Sequence, residues 1–215
     1  TNSLYRALER EEFDLHYQPQ VDVKSGKLVG LEALLRWTHP EHGIVSPGVF
    51  IPLAEHTGLI NAIGDWVIAT ACRQGAQWQK RGLEGVRMAV NLSVEQFRSS
   101  GFSDRIEEIL IETGMSPELL ELEVTESIAL DDSYDVVNTL EKLRESNIMV
   151  AIDDFGTEYS SLSRIKLLPA DRIKIDRQFV KSLDVDKKDK AVVKAIIELA
   201  RNCLLYTSDA ADEED

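Results

Sequence analysis

Two adjacent aspartates end an apolar segment in the stretch AIDDFGTEYSSL, which covers residues 151–162. Asp153 and Asp154 follow an apolar run at residues 148–150 and precede Gly156. Adjacent carboxylates repel each other, and a carboxylate removed from water is unstable unless it is paired or binds a metal ion. The sequence therefore predicts compensating charge near this pair.

Other polar residues recur late in apolar segments that are typical of strands. Candidate strands cover residues 15–18, 29–34, 86–92, 120–124, 148–153 and 172–176. In the last five of these, the late polar residues lie on the face opposite the aliphatic side chains, since side chains alternate along a strand. These residues, together with the aspartate that follows the fifth strand, are Glu32, Asn91, Glu123, Asp153, Asp154, Lys174 and Asp176.

Candidate helices alternate with the strands, at residues 63–81, 94–113, 133–146, 160–167 and 190–202. Repeated strand–helix units imply parallel strands with right-handed crossovers, in an open doubly wound sheet or a (β/α) barrel. The sequence contains neither GxGxxG nor GxxxxGK[ST], which disfavours the nucleotide-binding open sheets. In a barrel, the late polar residues would converge at the C-terminal mouth.

The predicted convergence of carboxylate and amide oxygens favours hard ions such as Mg²⁺ or Mn²⁺. Two such ions that share a carboxylate could hydrolyse a phosphodiester. The alternative is that these residues are solvated at a barrel rim or paired with Arg and Lys. Glu121 shares the face of Glu123 but lies deeper, so we expect it to pair with Arg or Lys.

The composition narrows the class of protein. The chain has 215 residues, 43% of them hydrophobic, which is enough for the core of one domain. Its net charge of −14 argues against broad binding to DNA or RNA polymers. No apolar run is long enough to span a membrane, and the two cysteines fit a reducing compartment with Cys72 in the core. The start at Thr1, without Met, suggests a piece of a longer protein.

Seven short motifs resemble, in order, those of the EAL domain family, which comprises bacterial phosphodiesterases that linearise cyclic di-GMP. They are YQPQ (17–20), EALLRW (32–37), FIPLAE (50–55), NLS (91–93), ELEVTES (121–127), DDFG (153–156) and KID (174–176). The resemblance runs from about residue 13 to residue 202 and implies a TIM-like (β/α) barrel of the EAL type, with cyclic di-GMP across its mouth.

The resemblance also implies a two-metal site for Mg²⁺ or Mn²⁺. The implied metal ligands are Glu32, Asn91, Glu123, Asp153 and Asp154, with Glu32 also part of the catalytic set. The DD pair would lie where the two ions meet.

The remaining roles that the resemblance implies concern substrate binding, catalysis and the loop at residues 155–161. Lys174 would be catalytic, by positioning the attacking water or stabilising charge on phosphoryl oxygens. Arg36 would bind phosphate, and Gln18 and Asp176 would contact the substrate. Glu126 would anchor the loop at residues 155–161, which shapes dimerisation and activity in the family.

Two departures from the family pattern stand out. Glu158 replaces a loop glycine, and we expect lower activity than in a Glu158→Gly variant. After residue 202 the family continues into a seventh strand ending in a Glu-Gly-Val-Glu type motif, whereas this chain reads CLLYTSDAADEED, with no strand pattern. We therefore predict an EAL domain at 1–202 with about six of the eight barrel strands. Residues 203–215 would be an acidic tail foreign to the domain, a native tail being the alternative.

The function implied by the resemblance is metal-dependent hydrolysis of cyclic di-GMP to linear pGpG in signal transduction. The alternatives are a catalytically inactive module that binds cyclic di-GMP, and a non-functional fragment, because the seventh-strand Glu that serves the family as metal ligand and base is absent. We expect fusion to sensory or diguanylate cyclase (GGDEF) domains, and a homodimer when the domain is complete. We expect a cytoplasmic location, including that of the cytoplasmic part of a membrane-anchored protein.

Overall fold

Strands and helices alternate along the chain, as the sequence predicts. The computed structural model describes residues 2–129, 131, 133–156, 170–181, 183, 185–202 and 206–209. They fall into two units, Thr1–Glu121 and Leu122–Asp215, whose boundary lies within one strand. The predicted helix at 160–167 and the departure at Glu158 lie outside the described residues.

The sheet of the first unit has four strands. They are β1 (Phe13–Val21), β2 (Leu28–His39), β3 (Gly43–Val45) and β4 (Arg87–Asn91). β2 pairs in parallel with β4, but β1 and β3 both pair with β2 in antiparallel orientation. The expectation of parallel strands throughout is therefore wrong for β1. Only residues 22–27 join β1 to β2, and a parallel connection needs a dozen or more residues.

The helices of the first unit are α1 (Asn2–Ala7), α2 (Pro47–Thr57), α3 (Ile60–Lys80), α4 (Val94–Phe97) and α5 (Phe102–Thr113), followed by a 3₁₀ turn at Pro117–Leu119. The buried residues of α3 recur at helical spacing, so one face packs against β4 and α5. The single helix predicted at 94–113 is wrong. α4 ends at Phe97, and Gly101, whose φ of 78° lies in the left-handed region that glycine favours, directly precedes α5.

The second unit also alternates strands and helices. Its elements in chain order are β5 (Leu120–Thr125, which begins in the first unit), α6 (Glu126–Ala129), α7 (Tyr134–Glu145), β6 (Met149–Phe155), β7 (Arg172–Ile175), α8 (Arg177–Lys181), α9 (Lys187–Asn202) and β8 (Tyr206–Asp209). The strand order is β5-β6-β7-β8, with β7 parallel to both β6 and β8. The α/β fold class predicted from the sequence is confirmed.

β8 corrects the expectation that residues 203–215 lack a strand. Tyr206–Asp209 pairs with Arg172–Ile175 residue by residue. Strand pairing is made by backbone groups, so the open edge of β7 can accept a segment whose side chains show no strand pattern. The origin of the tail stays a prediction, and residues 203–205 and 210–215 lie outside the described part of the chain.

Cys72 lies on the buried face of α3, as predicted, and is 0% exposed. Burial raises the pKa of its thiol to about 12, so the thiol stays protonated and packs as a small apolar group. None of the helices that the structure describes has both the length and the apolar character needed to cross a bilayer.

Candidate active site

Glu32 and Asn91 meet on neighbouring parallel strands of the first unit. Glu32 lies in the part of β2 that pairs with β4, and Asn91 is the last residue of β4. The Asn91 Nδ2 group donates a hydrogen bond of 2.8 Å to Oε1 of Glu32, whose side chain is buried. Because the NH₂ group of Asn91 is directed at Glu32, the Oδ1 oxygen of Asn91 is the atom that can bind a cation.

Gln18 and Arg36 lie on the same two antiparallel strands as Glu32. Gln18 is the direct cross-strand partner of Glu32, and its side chain is half-buried. Arg36 lies four residues beyond Glu32 on β2, opposite Asp14, and donates from Nη1 to the carbonyl oxygen of Leu35. Side chains two and four residues apart on a strand share one face, so the first unit presents Gln18, Glu32 and Arg36 together.

Lys174 forms the charged centre of the second unit. Its Nζ atom lies 2.6 Å from Oε2 of Glu123 and 2.8 Å from Oδ2 of Asp153. Lys174 is 2% exposed and Glu123 1% exposed. The carboxylate oxygens of these two acids lie within 4.8 Å of each other. The like charges of Glu123 and Asp153 are therefore held together by a buried ammonium group, which supplies compensating charge beside one member of the aspartate pair.

A β-bulge at the DD pair explains how both aspartates reach the same region. On β6, Ile152 pairs with Ile173, and Phe155 pairs with Ile175, so Asp153 and Asp154 both lie opposite Lys174. Asp154 has a φ of 53°, and its N–H donates 2.9 Å to Oδ1 of Asp153. Such a bulge interrupts the alternation of side chains and re-aims them. The period-two pattern used in the sequence analysis could not predict this.

The carboxyl of Asp154 reaches solvent but lies in a crowded acidic environment. Its pKa is raised to about 6, chiefly by partial desolvation and then by the charges of Asp153 and Asp176. The ammonium of Lys174 opposes this effect. The carboxyl of Asp154 is thus protonated more readily than that of an ordinary aspartate, unless a cation compensates its neighbours.

Two further predicted residues lie at the ends of β5 and β7. Glu126 is buried, and its Oε2 accepts a 2.9 Å hydrogen bond from the N–H of Gly156, two residues after Asp154. Asp176 follows β7, and its Oδ1 accepts from the N–H of Gln178 at the start of α8. Glu126 therefore contacts the beginning of the loop at 155–161, whose residues from 157 on lie outside the described part.

Glu121 pairs with a cation, as predicted. Its Oε2 lies 3.1 Å from Nε of Arg87, and its side chain is 0% exposed. Arg87 thus compensates the buried charge of Glu121. Sequence reasoning missed Gln96, a buried amide five residues after the end of β4, although the spacing Ser93-x-x-Gln96 is a capping-box signal.

These features define an α/β protein in which each unit carries a buried carboxylate on its strands, and such oxygen atoms are of the kind that hard divalent cations prefer. The EAL domain family matches residues 1–206. The chain belongs to the EAL domain family.

Individual relatives agree with this assignment. The bifunctional diguanylate cyclase/cyclic di-GMP phosphodiesterase MucR of Pseudomonas aeruginosa is 48% identical over 200 residues, which are 93% of this chain and 29% of MucR. The signaling protein YkoW of Bacillus subtilis is 41% identical over 202 residues, which are 94% of this chain and 25% of YkoW. The chain thus spans less than a third of the length of these curated relatives.

Solved structures show the same fold. The PaMucR phosphodiesterase in its c-di-GMP complex has a TM-score of 0.94 and 45% identity, covering 100% of this chain and 87% of that one. The EAL enzyme Bd1971, in its form bound to cAMP and cyclic di-GMP, has a TM-score of 0.92 and 34% identity, covering 99% and 58%. The prediction of an EAL-type fold is confirmed.

Proposed function

We propose that this domain hydrolyses one phosphodiester bond of cyclic di-GMP and releases linear pGpG, with two Mg²⁺ or Mn²⁺ ions. Membership of the EAL family and the 48% identity to MucR support the reaction class. The observation that carries the proposal is the pair of carboxylates, Glu123 and Asp153, held on either side of buried Lys174. Such a set has little structural value in a core, because its desolvation opposes its mutual attraction.

The proposed metal ligands are those that the family resemblance implies. They are Glu32, Asn91, Glu123, Asp153 and Asp154. All of them offer hard oxygen atoms, and no soft ligand is among them, which fits Mg²⁺ or Mn²⁺. When bound, such ions supply Lewis acidity and lower the pKa of a coordinated water. The bulge in β6 would allow both adjacent aspartates, Asp153 and Asp154, to act as metal ligands.

The proposed substrate contacts come from charge and geometry. The guanidinium of Arg36 binds a phosphate of the dinucleotide, and Gln18 and Asp176 contact the substrate. Lys174 positions the attacking water and stabilises charge on the phosphoryl oxygens. The water oxygen bonds to phosphorus, the bond from phosphorus to one ribose oxygen breaks, and that oxygen takes a proton. Glu126 holds the backbone at Gly156 and so supports the DD pair.

We propose that the domain works within a longer signalling protein in the cytoplasm. MucR carries diguanylate cyclase and phosphodiesterase functions in one chain, of which this chain matches 29%. A partner domain of the cyclase or sensory class is therefore the proposed neighbour. A homodimer of the complete domain stays a prediction.

A second candidate function is binding of cyclic di-GMP without hydrolysis. β8 reads Tyr-Thr-Ser-Asp and has no glutamate, whereas the family's seventh strand ends in a Glu that serves as metal ligand and base. Loss of that group would lower turnover while leaving phosphate contacts such as Arg36 in place.

Chromatography of cyclic di-GMP after incubation with Mn²⁺ or Mg²⁺, together with calorimetric titration of the dinucleotide, separates the two functions. Formation of pGpG supports the phosphodiesterase. Saturable binding without pGpG supports the binding module. If the protein neither forms pGpG nor binds cyclic di-GMP, both proposals are rejected.

A further inference from the structure

Gln96 is a buried residue of α4, the short helix that follows Asn91. Its side chain is 4% exposed, and its Oε1 accepts a 3.2 Å hydrogen bond from the N–H of Ser93. In return, the N–H of Gln96 donates 3.2 Å to Oγ of Ser93. These reciprocal bonds form a capping box at the start of α4, which fixes the backbone only two residues after Asn91.

The amide of Gln96 lies directly against α3 at Gly64. A Cβ atom built on Gly64 would overlap the Nε2 and Cδ atoms of Gln96 and would lie 2.9 Å from its Oε1. Gly64 is buried in the interior of a 21-residue helix, where glycine is less favourable than alanine. Its φ is not in the left-handed region. The missing side chain therefore serves close packing, not an unusual backbone conformation.

These contacts connect α3, through Gln96 and Ser93, to the end of β4 at Asn91. The chain leaves β4 at Asn91, passes through buried Leu92, and is held at Ser93 by Gln96, which in turn rests on α3. The Asn91 amide donates 2.8 Å to Glu32, a geometry that depends on where the strand ends. A capping box alone would need no glycine on the facing helix.

We propose that Gln96 is a positioning residue that holds the amide of Asn91 against Glu32, and that Gly64 provides the space it occupies. The proposal rests on the proposed function only in taking Asn91 as a metal ligand. Neither Gln96 nor Gly64 touches the reacting atoms. Their effect on the reaction passes through the orientation of Asn91.

The first test uses the metal-free protein. The side-chain NH₂ signals of Asn91 in a ¹H–¹⁵N spectrum, assigned by their loss in Asn91→Ser, report the bond to Glu32. Gln96→Ala and Gly64→Ala are each expected to shift or broaden these signals. Gln96→Glu keeps an oxygen for the N–H of Ser93 and is expected to leave them near their wild-type positions.

A matched control lies on the same helix. Gly75→Ala would bring a Cβ to 2.8 Å from Sδ of Met115, so it introduces a close contact away from Gln96, milder than the overlap at Gly64. It is expected to lower the melting temperature without moving the Asn91 signals. A merely structural role for Gly64 predicts the same behaviour for Gly64→Ala as for Gly75→Ala.

The second test combines the substitutions. The methyl group of Ala at position 64 fits the space that Gln96→Ala vacates, so the double variant is expected to be no worse than Gln96→Ala alone. Mn²⁺ binding is expected to weaken about ten-fold in both single variants, as for other groups that orient metal ligands.

Unchanged Asn91 signals in Gln96→Ala, or losses that add in the double variant, would overturn the proposal. A wild-type protein that binds no Mn²⁺ would reject the proposed function instead. The spectra of the metal-free protein would still decide the positioning role.

Discussion

Replacing Lys174 by Met removes the only ammonium group within the charge cluster that the structure describes around Glu123 and Asp153. The two hydrogen bonds of 2.6 and 2.8 Å disappear, and a Glu123 side chain that is 0% exposed is left beside a second carboxylate. Removing one partner of a buried ion pair destabilises a protein by about 3–5 kcal/mol. Two lost charge-assisted hydrogen bonds of about 1.5–3 kcal/mol each lead to the same range. For a chain of this size, the melting temperature should fall by about 6–20 °C.

The assay is thermal unfolding followed by circular dichroism, in chelator and then with Mn²⁺. Because a divalent ion can replace the lost charge, Mn²⁺ should raise the melting temperature of Lys174→Met more than that of the wild type. Lys194→Met is the matched control, since its ion pair with Glu198 is exposed and 3.9 Å long, and it should melt close to the wild type. A metal-free Lys174→Met protein as stable as the Lys194→Met control would refute the reasoning.

Three further predictions concern single side chains. Glu126→Gln keeps an acceptor for Gly156 but loses the charge, so it should lower stability in urea by about 1 kcal/mol and speed hydrogen exchange at the Gly156 amide; unchanged exchange would contradict it. At the left-handed position of Asp154, Asp154→Val should be less stable than Asp154→Asn by about 1–3 kcal/mol, and equal urea midpoints would argue against strain there. In a Cys203→Ser background, Cys72 should react with a disulfide reagent only after unfolding, because its pKa is about 12 and it is buried; rapid labelling of the native protein would disprove this.

Much of the fold could be predicted because its signals are local. Strand segments were found within a few residues, since aliphatic alternation and late polar residues mark them. α2 was missed, although Ser46-Pro47 and Gly58 mark its two ends in the sequence. The antiparallel pairing of β1 was missed because the repeated strand–helix units in the rest of the chain predict parallel strands. β8 could not be predicted, because its pairing rests on the backbone of β7 and not on a side-chain pattern.

The candidate site, like the fold, could be predicted only in part. Compensating charge near Asp153 follows from the unfavourable burial of a lone carboxylate, and the structure supplies the ammonium group of Lys174. The bulge at Asp153 and Asp154 did not follow, because strand parity assigns adjacent residues to opposite faces. Gln96 and Gly64 are 32 residues apart in sequence, and only packing reveals that the missing Cβ of one makes room for the amide of the other.

The measurement that tests the central claim most directly is chromatography of cyclic di-GMP incubated with this chain and Mn²⁺, beside Glu32→Ala under the same conditions. The account predicts that pGpG forms with the wild type and is lost with the variant, since Glu32 is a proposed metal ligand and its carboxylate holds Asn91 at 2.8 Å. An absence of pGpG with the wild type, or equal amounts from both proteins, would contradict the account.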